Sequence, residues 1–312
     1  MKVLQIAIVG LGKIARDQHI PSIAATDGIE LAAIASRNAS LEGIAHFGTL
    51  DQMLAEAPDI DAVALCTPPQ GRHAQAAAAL KAGKHVLLEK PPGATVSELG
   101  PLVAAARQTG RTLFATWHSR FAPAVEPAKA FLANRQIKSV VVEWKEDVRV
   151  WHPRQAWIWE PGGFGVLDPG INALSILTHI LPEMPVVVSA KLSVPRGRAS
   201  PILATMELRS GKVPVSVDLD FLQEGPQRWD IEVDTPDGPL VLRNGGATLS
   251  IADAPDSASL NSEYPRLYTR FADLIAAGES DVDLSPLHLV TEALRIGEHV
   301  ETEPFAFERG TV

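Results

Sequence analysis

Apolar runs of strand length recur along the first part of the chain, at Val3 to Val9, Ile29 to Ala35, Asp61 to Cys66, His85 to Glu89 and Thr112 to Thr116. Helix-length stretches separate them. The clearest are His73 to Ala82, with its alanine run, and Val96 to Gln108, where apolar residues fall three and four apart. This alternation predicts a parallel sheet with right-handed crossovers.

After about Ser119 the rhythm changes. A helix is predicted over Ala124 to Ala133, a strand over Ser139 to Val150, a Trp- and Gly-rich loop, and a helix beginning near Pro169. Strands follow at Val186 to Val194, Ile202 to Leu208, Val213 to Leu222, Trp229 to Thr235 and Leu240 to Arg243. Turns such as Arg209-Ser210-Gly211-Lys212 and Pro236-Asp237-Gly238 between them predict a largely antiparallel sheet. Helices over Tyr264 to Ala277 and Pro286 to Thr302 complete the second domain or pack back on the first. The expected class is α/β: a first domain over 1–119, then an α+β domain with a large, mostly antiparallel open sheet over 120–312.

Composition narrows the partners. At 312 residues, 46% hydrophobic and 21% charged, the chain has material for two ordinary globular cores. A formal net charge of -9 offers no basic face for phosphate backbones, so nucleic acid is not an expected partner. One cysteine, Cys66, excludes an internal disulfide framework. The start MKVLQIAIVG lacks a signal-peptide pattern, which favours the cytoplasm, and no apolar run approaches the ~20 residues that cross a bilayer.

The first strand runs into Gly10-Leu11-Gly12-Lys13-Ile14-Ala15, a G-x-G-x-x-A turn in which small residues let backbone approach a pyrophosphate at a helix start. Because it follows a strand, precedes a helix candidate and opens an alternating series, it predicts a Rossmann dinucleotide site. The second strand ends in Ser36-Arg37-Asn38, where an NAD-selective site usually carries an acidic residue and an arginine accommodates a 2′-phosphate. Ser36 and Arg37 therefore favour NADP. Use of NAD as well stays open, since an arginine also stacks on adenine.

The third and fourth predicted strands end in Cys66-Thr67-Pro68-Pro69 and Glu89-Lys90-Pro91-Pro92. Between them stand His73, leading a helix, and Ala82-Gly83-Lys84-His85-Val86-Leu87-Leu88-Glu89-Lys90-Pro91. These stretches resemble the glucose-fructose oxidoreductase, inositol dehydrogenase and rhizopine catabolism family. The resemblance implies Lys90 in the active site, a cis bond before Pro91, and Cys66, Thr67, Pro68, His73 and Glu89 around the cofactor. Further on, Thr116-Trp117-His118-Ser119-Arg120, Trp144-Lys145-Glu146-Asp147-Val148-Arg149, Trp151-His152-Pro153 and Trp157-Ile158-Trp159-Glu160-Pro161-Gly162-Gly163 look like the family's bacterial L-arabinose and D-galactose 1-dehydrogenases. Where many members carry Asp-x-Gly-x-x-His or Asp-x-Gly-x-His, this chain reads Asp168-Pro169-Gly170-Ile171-Asn172. Asn172 replaces the histidine, as in the arabinose-type enzymes, whose resemblance implies a catalytic set of Lys90, Asp168 and Asn172.

The residue chemistry suits that expectation. Oxidising a hemiacetal carbon requires a base and a hydrogen-bond donor at O1, roles that Asp168 and Lys90 fit, and either can take the proton. Asn172, one helical turn beyond Asp168, offers donor and acceptor on the same face. A pyranose is held by planar polar groups and aromatic faces, for which Glu146, His118, His152, Trp151 and Trp229 are candidates; Trp144, Trp157 and Trp159 are expected to be structural. Cys66 is expected to be a small buried hydrophobe beside the nicotinamide. No metal is expected, because the histidines are dispersed and no H-x-H or H-E-x-x-H occurs. The partner is then a small sugar, with inositol oxidation or a non-catalytic cofactor sensor as alternatives, and the resemblance implies pairing of two chains through the open sheet face.

Overall fold

A computed structural model describes residues 2–252, 257–258 and 263–306. The chain divides into two compact units, Met1–His118 with Ser262–Leu284, and Ser119–Asn261 with Ser285–Val312. This differs from a single cut at residue 119, because the first of the two terminal helices belongs with the N-terminal unit.

In the first unit, β1 (Leu4–Val9), β2 (Ile29–Ala35), β3 (Ala45–Phe47), β4 (Ala62–Leu65), β5 (His85–Leu88) and β6 (Leu113–Ala115) form a parallel sheet in the order β3-β2-β1-β4-β5-β6. Ile6 to Val9, Ala62 to Leu65 and Val86 to Leu88 are buried without alternation, as required of strands covered on both faces. A π-turn at Ala15–His19 leads into α1 (Ile20–Ala24); α2 (Leu50–Glu56), α3 (Arg72–Lys81) and α4 (Leu99–Thr109) follow. Thr49 caps α2 by accepting from the Gln52 N–H at 3.1 Å, and Gly110, at φ 61°, closes α4 in the left-handed region. Periodicity predicts no element at β3 or α2: three residues, two exposed and one half-buried, and a seven-residue helix are too short to show a period.

In the second unit, α5 (Val125–Leu132), β7 (Ser139–Lys145), α6 (Val148–Trp151) and α7 (Leu167–Ile180) precede β8 (Pro185–Pro195), β9 (Leu203–Ser210), β10 (Val213–Asp220), β11 (Arg228–Asp234), β12 (Leu240–Arg243), β13 (Thr248–Ile251) and β14 (Ser257–Ala258). The sheet runs β14-β13-β12-β11-β7-β10-β9-β8-β15, with β15 at Glu298–Thr302. It is mixed: β10 runs parallel to β7 and β15 parallel to β8, and the other pairs are antiparallel. Strict alternation of buried and exposed positions in β9 marks a sheet with one covered face. On that face lies α7, whose Gly170 meets β10 so closely that a Cβ would stand 2.5 Å from Leu219 Cδ1.

Two expected elements end early. The strand expected to reach Val150 stops at Lys145, because the Asp147 side chain accepts from the Arg149 N–H at 2.8 Å and starts α6. The helix expected to reach Thr302 ends at Ile296, and β15 follows; a Cβ on Gly297 would lie 2.5 Å from the Ala293 carbonyl oxygen and 3.2 Å from Ala190.

The segment completing the first unit is α8 (Glu263–Ala277), where Tyr264, Leu267, Tyr268, Phe271 and Leu274 form one buried stripe. Phe271 stacks on Phe114 at 6.1 Å. Beyond it, Asp281 exchanges backbone hydrogen bonds with β6, donating to Leu113 O at 3.1 Å and accepting from Ala115 N at 2.9 Å.

His85, at the start of β5, links this fold to pH. Burial first, then the Arg111 charge, push its pKa down to about 4 from the ordinary 6.5. Its Nδ1 also accepts from the Thr112 N–H at 3.0 Å, which protonation would forbid. The unfolded chain takes the proton at a higher pH than the folded one, so the contribution is complete above pH 6.5 and is lost as pH falls toward 4. Discounted for partial exposure, the loss between pH 7 and 5 is about 1 kcal/mol. Thermal melts should show this loss and its reduction in His85→Gln; an equal drop in the variant would refute the assignment.

Candidate active site

The dinucleotide turn is built as its spacing predicts. Gly10 sits at φ 90°, and a Cβ there would lie 2.8 Å from Thr67 Cγ2 and 3.0 Å from the Thr67 amide nitrogen. Only glycine lets β1 turn this close to the end of β4. Gly12 has nothing within 4 Å of where a Cβ would stand, and its carbonyl accepts from the Arg16 N–H at 3.2 Å as the helix begins. Glycine backbone with open space at a helix start, and an exposed Ile14 beside it, fit a pyrophosphate and its dinucleotide. Lys13 is exposed and paired with Asp17.

At the end of β2, the Ser36 hydroxyl receives the Leu11 N–H at 3.5 Å, and Arg37 is exposed. His46 Nε2 lies 2.8 Å from the Ser36 carbonyl, a neighbour that the sequence did not suggest. At the end of β4, Cys66 is half-buried rather than fully buried, with its thiol 3.8 Å from the Ala64 carbonyl; Thr67 donates to Gln75 Oε1 at 2.6 Å, and Pro68 is exposed. His73 Nδ1 lies 2.9 Å from the Glu98 carbonyl.

Lys90 follows β5, half-buried, and its bond to Pro91 is cis. The backbone on both sides of it is held by Arg72, a buried residue absent from the sequence-based candidates. The Arg72 guanidinium donates to the carbonyls of Glu89 and Pro91 through Nη1 and of Thr67 through Nη2, tying the ends of β4 and β5 together.

Glu89 departs from expectation. Its carboxylate is 3% exposed and turned into the unit: Oε1 accepts the Tyr264 hydroxyl at 2.6 Å and lies 3.2 Å from His19 Nε2. Its assignment to the cofactor is therefore revised to internal support. Burial alone would raise its pKa, but the His19 hydrogen bond, the charges of His19 and His118 and the Tyr264 hydroxyl hold it down to about 2. His19 is fully buried, with Nδ1 2.7 Å from the Tyr268 hydroxyl. Burial lowers its pKa, yet Cys66, Tyr268 and Glu89 outweigh that and carry it well above 6.5. Burial and the same carboxylate raise Tyr264, and Tyr268 is pushed up to about 12. His118 is half-buried, stacked on Tyr264 at 5.1 Å, with Nδ1 2.5 Å from Glu263 Oε2.

In the second unit, four of the expected sugar-binding residues come together. Glu146 is 2% exposed; its Oε1 lies 3.1 Å from His152 Nε2 and its Oε2 accepts the Trp229 Nε1–H at 2.9 Å. Trp151 packs on Trp229 at 4.8 Å, and Trp144 stacks behind it at 5.8 Å. The other ring nitrogen of His152, Nδ1, is buried without a hydrogen-bond partner among the described residues. Trp144 and Trp159 are buried, and Trp157 is half-buried.

Asp168 lies in the first turn of α7, 2% exposed, where the helix dipole favours a carboxylate; Asn172 is half-buried one turn on. The contact of Gly170 with Leu219 puts this turn at one end of β10. The next residue, Asp220, accepts the Glu146 N–H at 2.8 Å. Asp168, Asn172 and the Glu146 cluster thus share one end of the second sheet. Groups of three or more metal-binding side chains are absent among the described residues, and no described helix is long and apolar enough to cross a membrane.

The glycine geometry separates two substitutions. Gly10→Ala combines a forbidden φ with a backbone collision and should cost about 2 kcal/mol or more. Gly12→Ala should leave stability within about 0.5 kcal/mol and weaken dinucleotide binding roughly tenfold. Chemical denaturation and dinucleotide titration of both variants check this; a Gly12→Ala protein binding at full strength would contradict the placement of the phosphates.

Comparison with known proteins agrees with this architecture. Residues 4–116 match the oxidoreductase family with an NAD-binding Rossmann fold that takes its name from glucose-fructose oxidoreductase, inositol dehydrogenase and rhizopine catabolism proteins. A galactose 1-dehydrogenase of Pseudomonas fluorescens is 42% identical over 306 residues, covering 98% of this chain and 99% of its own. The crystal structure of a D-galactose-1-dehydrogenase from Rhizobium etli superposes with a TM-score of 0.91 at 52% identity, covering 98% of this chain and 99% of that one. A 3-ketoreductase from Actinomadura kijaniata, solved with NADP, shares the fold at a TM-score of 0.83 and 20% identity, over 96% of this chain and 99% of its own. With a Rossmann unit, its glycine turn and an end-to-end relative at this identity, the chain belongs to the glucose-fructose oxidoreductase, inositol dehydrogenase and rhizopine catabolism family of oxidoreductases.

Proposed function

We propose that this protein oxidises the anomeric carbon of a free aldose, D-galactose before L-arabinose, to its 1,5-lactone, with NADP preferred over NAD. The observation that carries the reading is the Glu146, His152, Trp151 and Trp229 cluster at one end of the second sheet, beside the turn that holds Asp168. An exposed indole next to a carboxylate-oriented imidazole suits the apolar face and the hydroxyl edge of a pyranose. A sugar hydroxyl donating to His152 Nδ1 would satisfy the one atom of that ring without a partner among the described residues. Both similar full-length enzymes are galactose dehydrogenases by name, which orders the substrates.

A bound nicotinamide supplies the hydride acceptor. In this reading Asp168 takes the O1 proton, Lys90 donates a hydrogen bond to the same oxygen, and Asn172 orients the sugar. Arg37, exposed after Ser36 where NAD-selective sites carry an acid, supports the preference for NADP.

The test is the initial rate of reduced-cofactor formation with a panel of aldoses and inositols, using NADP and NAD. D-galactose should be turned over with release of a lactone, and inositols should not; the reverse pattern would replace the proposal with ring-hydroxyl oxidation. Lys90→Ala and Asp168→Ala should each lower kcat by about a hundredfold or more while leaving dinucleotide affinity nearly unchanged. Near-full activity in both would remove them from the mechanism.

A further inference from the structure

The first unit buries a polar cluster of His19, Glu89, Tyr264 and Tyr268 between the glycine-turn helix and α8. His19 and Glu89 are 0% and 3% exposed, and the hydroxyls of Tyr268 and Tyr264 each complete one of them. Burying an imidazole against a carboxylate is costly, and apolar side chains of the same volume can serve stability as well. The π-turn at Ala15–His19 is a further local irregularity in the helix that opens from the glycine turn, and it ends on the residue that meets Glu89. The chain thus spends two unfavourable features on one contact. What they have in common is Glu89, the residue before Lys90.

We propose that His19 is a positioning residue for Lys90, acting through Glu89 with Tyr264 and Tyr268 as its supports. This rests on the reading of Lys90 as catalytic. Arg72 holds the main chain on either side of Lys90 through the Glu89 and Pro91 carbonyls. The Glu89 carboxylate adds a side-chain anchor to these main-chain ones. It is anchored at Oε1 from two directions, by the helix that begins at the dinucleotide turn through His19 and by α8 through Tyr264. Glu89 is the residue bonded to Lys90, so fixing its side chain inward restricts the backbone from which the Lys90 side chain leaves. The same pair joins the helix of the phosphate turn to the loop of Lys90, so the lysine is registered against the cofactor's own cradle. His118, Cys66 and Glu263 are the other ionisable groups around the cluster.

The experiment is a set of paired variants. His19→Gln keeps a donor but removes the charge, and Tyr264→Phe removes a single oxygen. Each is made in the natural chain and in a Lys90→Ala background. In the natural chain, kcat should fall about ten- to a hundredfold for His19→Gln and several-fold for Tyr264→Phe. The KM for sugar and the dinucleotide Kd should stay within about threefold. In the Lys90→Ala background, measured at high enzyme concentration, the same substitutions should change residual turnover less than about twofold, because the side chain they position is gone. An equal fall in both backgrounds, or an unchanged kcat in the natural chain, overturns the proposal. Should His19→Gln not fold, Tyr264→Phe decides by the same criteria. Near-full activity of Lys90→Ala itself would instead refute the catalytic reading, a result separate from the others.

Discussion

A single buried guanidinium fixes the geometry at the ends of the central strands. Arg72 bonds the carbonyls of Thr67, Glu89 and Pro91, and so holds the loops after β4 and β5 at a set separation. Those loops leave the carboxyl ends of parallel strands beside β1, where the strand order reverses and such sheets bind ligands. Carbonyl groups in these loops have no ladder partner, and burial without a donor would cost each of them on the order of 1–3 kcal/mol. One side chain answers three of them. The contact of Gly10 with Thr67 depends on this, since it needs the β4 loop to stand within van der Waals reach of the glycine turn.

The second unit solves a different problem by the same means. Its broad sheet is covered by α7 on one face, and close packing at Gly170 sets how far the Asp168 turn reaches over the strand ends. Glu146 then acts as a hub: fully buried, it spends its two oxygens on His152 and Trp229 and so orients both. In the proposed function, a carboxylate used this way preorganises a binding face rather than filling it, because it orients the imidazole and the indole without occupying their other faces.

Much of this was legible in the sequence. The parallel sheet, the glycine turn and the helix opening with Asp168 follow from periodicity and from short motifs that carry their own mechanism, and the family followed from the ordered stretches around Lys90. What escaped has physical reasons. Arg72 stands next to His73 in one of those stretches, but nothing in a helix-start arginine reveals that it points inward to three carbonyls. His19 and Tyr268 are 249 positions apart, and only folding brings them within 2.7 Å. The resemblance implies Glu89 at the cofactor, but a strand end offers two faces, and its neighbours decide which one the side chain takes. The break at Lys145 hung on one capping side chain, Asp147, and the end of the last helix on one glycine.

By itself, then, the sequence determined the class of each layer, the position of the dinucleotide turn and the identity of the polar residues available for chemistry, because these are set by local spacing and by side-chain type. The tertiary structure alone decided which of those polar residues are consumed internally. That choice is made by long-range partners: a tyrosine from α8 for Glu89 and a tryptophan from β11 for Glu146. Hydrogen-bond satisfaction in a buried setting is a property of the assembled neighbourhood, and no single stretch of chain contains it.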